Sequence, residues 1–217
     1  MIRTIAALML IAVLGSAAQA QQFSADLVRL GASEQPAGAT GKLHVADDKV
    51  RIETPDVADG FFVIDSAVPT AFFVRTARRV FMDAKQSSEL TQIFVAVDPG
   101  DPCRRWQAMA VLAGAATQDR QWYCEPAGRE TIEEHETLVY RAVSPQGRRH
   151  TVTIDARLKF PLRFAAEDGT AVVVTNIVES LPSASLFEIP SSYGKFDPRA
   201  LIERIKQSDV WVDEPPR

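Results

Sequence analysis

The residues whose chemistry bears on function are three histidines, two cysteines and eleven phenylalanines, in a chain of 217 residues. His44 and His150 lie in runs of mixed polar and apolar character, and His135 sits inside Glu133-Glu134-His135-Glu136. On a strand that last run puts Glu134 and Glu136 on one face and Glu133 and His135 on the other. Such a set can hold a cation, but a solvated strand face is the simpler reading. The chain has no G-x-S-x-G, S-x-x-K, H-E-x-x-H or C-x-x-C run, and no glycine-rich phosphate loop. Its 28 acidic residues offer many carboxylate pairs, and nothing in their spacing selects one. No catalytic residue, metal ligand or cofactor is therefore assigned, and a non-enzymatic protein is expected, with an unrecognised hydrolase as a remote alternative. Against 28 acids stand 24 Lys and Arg, a net charge of −4, so no basic excess points to nucleic acid.

Cys103 and Cys124 are an even pair, which in an oxidising compartment is expected to form a structural disulfide. The bond would close a loop of about 20 residues and contribute ~3 kcal/mol through the unfolded chain's entropy. Phe61, Phe62, Phe72, Phe73, Phe81 and Phe94 crowd one stretch. Doubled Phe-Phe places rings on both faces of a sheet. Two readings follow: helices cover one face and the rings are core, or part of that face is an apolar ligand groove.

The elements that must position these residues are mostly strands. Phe23–Leu30 opens the series, followed by a loop at 34–40. Leu43 and Val45, then Val50 and Ile52, alternate with polar neighbours on either side of an Asp47-Asp48 turn. Phe61–Asp65, Ala71–Arg75 and Arg79–Asp83 continue an antiparallel meander. The period then changes. Leu90, Ile93, Phe94 and Val97 have helical spacing, with Ser87 or Ser88 as N-cap, and Asp98-Pro99-Gly100 stops that helix. Asp101-Pro102 starts a second, with Cys103, Trp106, Ala110 and Ala113 as its stripe and Gly114 as its end. A helical pair at about 87–113 is expected.

Strands resume at Gln121–Cys124, Arg129–Val143, Arg149–Lys159, Phe160–Phe164 and Thr170–Val178, with Leu186–Ile189 as a last extended piece. In the third of these His150, Val152, Ile154, Ala156 and Leu158 share a face. Asp197-Pro198 caps a final helix carrying Leu201, Ile202 and Ile205. The class is α+β with an antiparallel sheet, and ten or so strands in one domain must curl or close.

The N-terminus, MIRTIAALMLIAVLGSAAQA, has one charge at Arg3, an apolar run from Ile5 to Leu14 and Ala18-Gln19-Ala20. This is the pattern of a secretory leader cleaved after Ala20. The apolar run spans about 15 Å as a helix, half a bilayer core. The division expected is a signal peptide at 1–20, one domain at 21–208 and a loose tail at 209–217. No spanning segment is expected in the mature chain, and the location expected is the periplasm.

Short motifs add a resemblance. Gly41-Lys-Leu-His-Val, Lys49-Val-Arg-Ile-Glu, Phe62-Val-Ile-Asp65 and Arg79-Val-Phe-Met resemble the start of the periplasmic lipoprotein-carrier superfamily of the Lol pathway. Leu186-Phe-Glu-Ile-Pro190-Ser-Ser-Tyr193 resembles its closing strand. Asp98-Pro-Gly-Asp-Pro-Cys103…Trp106 and Trp122-Tyr-Cys124 resemble an exported proteobacterial branch of it. The resemblance implies a strongly curved, unclosed half-barrel, a short helical pair on its concave face and a C-terminal helix. It also implies a hydrophobic ligand, a lipid or acyl chain, or an envelope lipoprotein as partner. In that arrangement Leu90, Phe94, Trp106 and Met109 line a cavity with Phe62, Phe73, Val152, Ile154 and Phe164. The Lol carrier's Arg-Pro step is Asp47-Asp48 here, so no lipoprotein-handling residue is carried over. The alternative is an envelope interaction module whose interior is filled.

Overall fold

The computed structural model describes residues 21–54, 59–86, 89–117 and 119–207. The leader, Ser87 and Ser88, and the tail at 209–217 lie outside the described residues.

Two antiparallel meanders share one sheet. The first runs β1 (Gln22–Leu30), β2 (Gly41–Ala46), β3 (Lys49–Glu53), β4 (Gly60–Asp65), β5 (Thr70–Arg75) and β6 (Val80–Asp83). The second runs β7 (Tyr123–Ile132), β8 (His135–Val143), β9 (Arg149–Asp155), β10 (Phe160–Ala166) and β11 (Ala171–Val178). They join where β1 pairs with β11, and β12 (Gly194–Lys195) adds a short parallel rung beside β6. The order is β12-β6-β5-β4-β3-β2-β1-β11-β10-β9-β8-β7, twelve strands that do not close. β6 and β7 lie toward opposite ends of this sheet, so the chain between them must cross it. That crossing carries two helices, α1 (Leu90–Ile93) and α2 (Pro102–Leu112).

The alternation read in the sequence is the burial pattern. Leu43, Val45, Val50 and Ile52 are fully buried, while Lys42 and Lys49 are exposed. The core is one cluster in which crossover residues Ile93, Phe94, Val95, Val97, Trp106, Met109 and Ala110 meet both meanders. Trp106 donates its indole N–H to the Ile93 carbonyl at 3.0 Å, which fastens α2 to α1. Cys103 and Cys124 are bonded, with Cα atoms 5.8 Å apart, tying the start of α2 to β7. Gln107 Oε1 accepts from the Trp122 amide at 2.9 Å beside that link. As expected, Asp101 caps α2, accepting from the Arg104 amide at 3.3 Å. Gly114 leaves the helix at φ 67. The Asp47-Asp48 turn also holds α2: Arg105 donates to the Ser66 carbonyl at 2.7 Å and to Asp48 Oδ1 at 3.3 Å.

Three expectations need correction. The first helix is a single turn, preceded by Glu89 and ending at Ile93. Residues 93–97 are all buried, and the Val97 amide bonds the Lys159 carbonyl at 2.9 Å. An apolar run buried on every side has no stripe, so its chance match to helical spacing meant nothing. Second, the strand bounds change: Arg129–Val143 is two strands, the first continuous with the expected Gln121–Cys124, and Arg149–Lys159 is a strand only to Asp155, its last four residues forming the turn to β10. Glu133 and Glu134 form the hairpin turn between β7 and β8 at φ 45 and 69. Such turns ordinarily use Asn or Gly, so a pair of glutamates hid this one. Third, Leu186 and Phe187 fall in a 3-10 turn over Ala184–Phe187.

That C-terminal segment lies across the first meander. The Arg51 guanidinium donates to the Leu186 carbonyl at 3.1 Å and sits 3.4 Å over the Phe61 ring. Phe72 and Phe81 stack edge to face at 5.5 Å. Rings on this side are therefore sheltered by cation-π contact and by one another. Phe62 and Phe73 pair on the other side at 5.1 Å. The final helix, α3 (Pro198–Gln207), forms as expected, with Asp197 Oδ1 accepting from the Ala200 amide at 3.2 Å. Its Leu201 and Ile202 are exposed.

Candidate functional site

Among the described residues a cleft of about 1100 Å³ opens between the crossover and the second meander. Leu90 and Ile93 of α1, Ala113–Ala115 at the end of α2, and Phe164, Ala171 and Val172 of β10 and β11 supply its apolar surface. Gln86, Gln92 and Gln146 lie among them. The charged rim is largely matched: Arg148 pairs with Glu89, and Arg149 lies 3.6 Å from Glu167. The Arg148 pair ties the turn before β9 to the start of α1. Gln146 reinforces the same end, donating to the Ala115 carbonyl at 3.4 Å.

Only part of the expected lining is there. Of the nine residues, Leu90 and Phe164 face the cleft. Phe62, Phe94, Trp106, Met109, Val152 and Ile154 are buried in the packed core, and Phe73 is half-buried against it. Phe94 makes a tilted ring contact with Phe160 at 6.3 Å, and Trp106 one with Trp122 at 5.5 Å. The crossover fills the space under its middle with its own side chains and leaves the cleft at one end.

His150 is the polar residue that the sequence left without a role. It is paired across the sheet with Ala142 of β8 and Ala166 of β10. Its ring is 4.4 Å from that of Phe164 and 6.0 Å from that of Trp122, and the residue is 6% exposed. Neither ring nitrogen has a hydrogen-bond partner within the protein, and the Trp122 indole N–H has none either. Burial, reinforced by the nearby Arg148 charge, pushes the imidazole down to about 4, so it is neutral at pH 7. It forms part of the wall of the cleft. The sequence signal was a histidine in step with Val152 and Ile154.

The Glu133-Glu134-His135-Glu136 run lies far along β8 from this cleft. His135 Nδ1 is 2.5 Å from Asp155 Oδ2, and Asp155 also accepts from the amides of Arg157 and Leu158 at 2.7 and 2.8 Å. Asp155 thus organises the turn between β9 and β10. Glu179 is engaged by Arg157. Among the described residues no group of three or more His, Cys, Asp or Glu is placed to hold a metal ion. No helix among them is long and apolar enough to cross a membrane.

No protein-family model matches the chain, and no curated protein matches it by sequence. Solved structures match by fold. Two crystal forms of PNGF-II align over 86% of this chain at 9% and 11% identity, with TM-scores of 0.51 and 0.52. The chain covers 33% of PNGF-II, so the likeness is to one part of a larger protein. A putative outer membrane lipoprotein-sorting protein domain from Vibrio parahaemolyticus aligns over 78% of this chain and 91% of its own, at 10% identity and a TM-score of 0.35. At these identities the likeness to PNGF-II is one of fold alone.

Proposed function

We propose that this is an exported, non-catalytic binding protein whose end cleft takes the acyl chain of a lipid or lipid-like molecule. The cleft itself carries the reading. Its volume exceeds the several hundred Å³ that a small hydrophobic ligand needs, and Leu90, Ile93, Phe164 and Val172 give it an apolar floor. Each methylene withdrawn from water contributes about 0.8 kcal/mol, so a single chain gains affinity without charged contacts. The curved half-barrel belongs to the same proposal: one core cluster reaches from β3 and β4 to β8 and β9 around the crossover, as a sheet wrapped about it would. The Cys103–Cys124 bond supports an oxidising compartment, the periplasm being the one the leader addresses.

The fluorescence of N-phenyl-1-naphthylamine tests this. Saturable uptake is expected, weakened several-fold by Leu90→Gln and Val172→Gln and unchanged by Met109→Leu, which lies in the core. Absence of uptake would leave the alternative, an interaction module of the envelope, which the filled middle of the interior favours.

A further inference from the structure

Resting on the cleft as a ligand site, we propose that His150 receives the head of the ligand, and that this head is an uncharged hydroxyl on a single aliphatic chain. Three buried polar atoms without a partner belong to two neighbouring rings: both nitrogens of His150, which lines the cleft, and Nε1 of Trp122, whose ring centroid is 6.0 Å away. A neutral imidazole offers one donor and one acceptor, and the indole offers a second donor. A buried polar atom without a partner costs about 1–3 kcal/mol, and a group that completes it recovers that cost on binding. A hydroxyl does so on both counts, since it accepts from an N–H and donates to a bare ring nitrogen. An ether only accepts. A carboxylate also only accepts, and it brings a charge against the Phe164 ring that packs on His150, while the guanidinium of Arg148 is already engaged by Glu89.

The geometry also orients the chain. His150 and Phe164 are in ring contact at one side of the cleft, and Leu90 and Val172 lie along the same opening. A head at His150 therefore directs the tail past Phe164 toward Val172. The two nitrogens are sheltered from solvent, so the hydroxyl reaches them by a small shift of the ring or of Phe164 and meets no competition from bulk water.

Displacement of N-phenyl-1-naphthylamine by 1-decanol, decyl methyl ether and decanoate at pH 7.5 decides it. For the full mature protein, decanol is expected to displace the probe about tenfold more effectively than the ether, the size of one buried hydrogen bond. His150→Leu should reduce this ratio to near one, and Trp122→Phe should reduce it in part, with the probe still bound in both. Equal displacement by decanol and ether in the wild-type protein would overturn the hydroxyl assignment and leave the acyl cleft standing. A preference for decanoate abolished by His150→Leu would overturn it in favour of a charged head. A decanol preference that survives in His150→Leu would place the head elsewhere. Failure of the wild-type protein to bind the probe at all would remove the cleft and this inference together.

Discussion

At the scale of single residues, burial decides what each side chain contributes. The folded imidazole of His150 titrates near 4 and the unfolded one near its ordinary 6.5. Above pH 6.5 both states are neutral and stability is intact. As the pH falls from 6.5 to 4, the unfolded chain takes up a proton that the folded one refuses, so stability drops. The loss is complete below 4 and amounts to roughly 3 kcal/mol. Urea titrations across this window should show it, and His150→Leu should remove most of the slope. The shift of His44 is also downward, chiefly through burial, and leaves a smaller slope of the same sign. Phe94 makes a different case. It is fully buried against Phe160, away from the cleft. Phe94→Ala should cost about 3–5 kcal/mol. A loss of probe affinity at unchanged stability would show instead that Phe94 lines the ligand site.

At the scale of elements, attachment matters more than intrinsic propensity. α2 is held by its disulfide, by the Trp106 bond to α1, and by the Arg105 bonds to Ser66 and Asp48. Replacing both cysteines by alanine should cost about 2–4 kcal/mol. The amides of α2 should then exchange before those of the sheet, since the helix loses the one covalent tie to β7. Strand spacing sets another limit. A methyl group on Gly41 would fall on the Glu53 carbonyl oxygen of the paired strand, which cannot move without breaking the ladder. Gly41→Ala should thus destabilise more than Gly60→Ala, where the obstacle is mainly the far edge of the Phe73 ring. Comparative thermal melts would rank them. In α3, by contrast, Leu201 is exposed, and Leu201→Ser should shift stability by less than about 0.5 kcal/mol.

At the scale of the whole molecule, an unclosed sheet has two edges to protect. One ends in the two-residue β12, too short to template another chain. The other is β7, ten residues long and largely exposed. Pro126 has no amide hydrogen to offer there, and a register shift separates it from Gly128, whose φ of 141 suits glycine. Glu125, Arg129 and Glu130 add charge. The edge is therefore broken in its middle. The double change Pro126→Thr, Gly128→Val should make it continuous, and light scattering should then show concentration-dependent association beyond that of the wild-type protein.

Local alternation, a capping aspartate and turn residues were enough to read eight of the strands at or near their bounds, α2 and α3, because each of these signals lies within a few residues along the chain. The Cys103–Cys124 bond followed from an even count of two. Three things needed the tertiary structure. The stretch Phe94–Val97 is buried on all sides, which erases the stripe that tells helix from extended chain. The β7–β8 turn rests on two glutamates in a conformation that glutamate rarely announces. The cleft, above all, depends on where the crossover runs. Its side chains fill the middle of the interior, converting most of the expected groove residues into core, and the opening survives only beside Leu90, Phe164 and His150. That outcome is set by how completely distant segments fill the space between them, a sum over contacts that no local pattern carries.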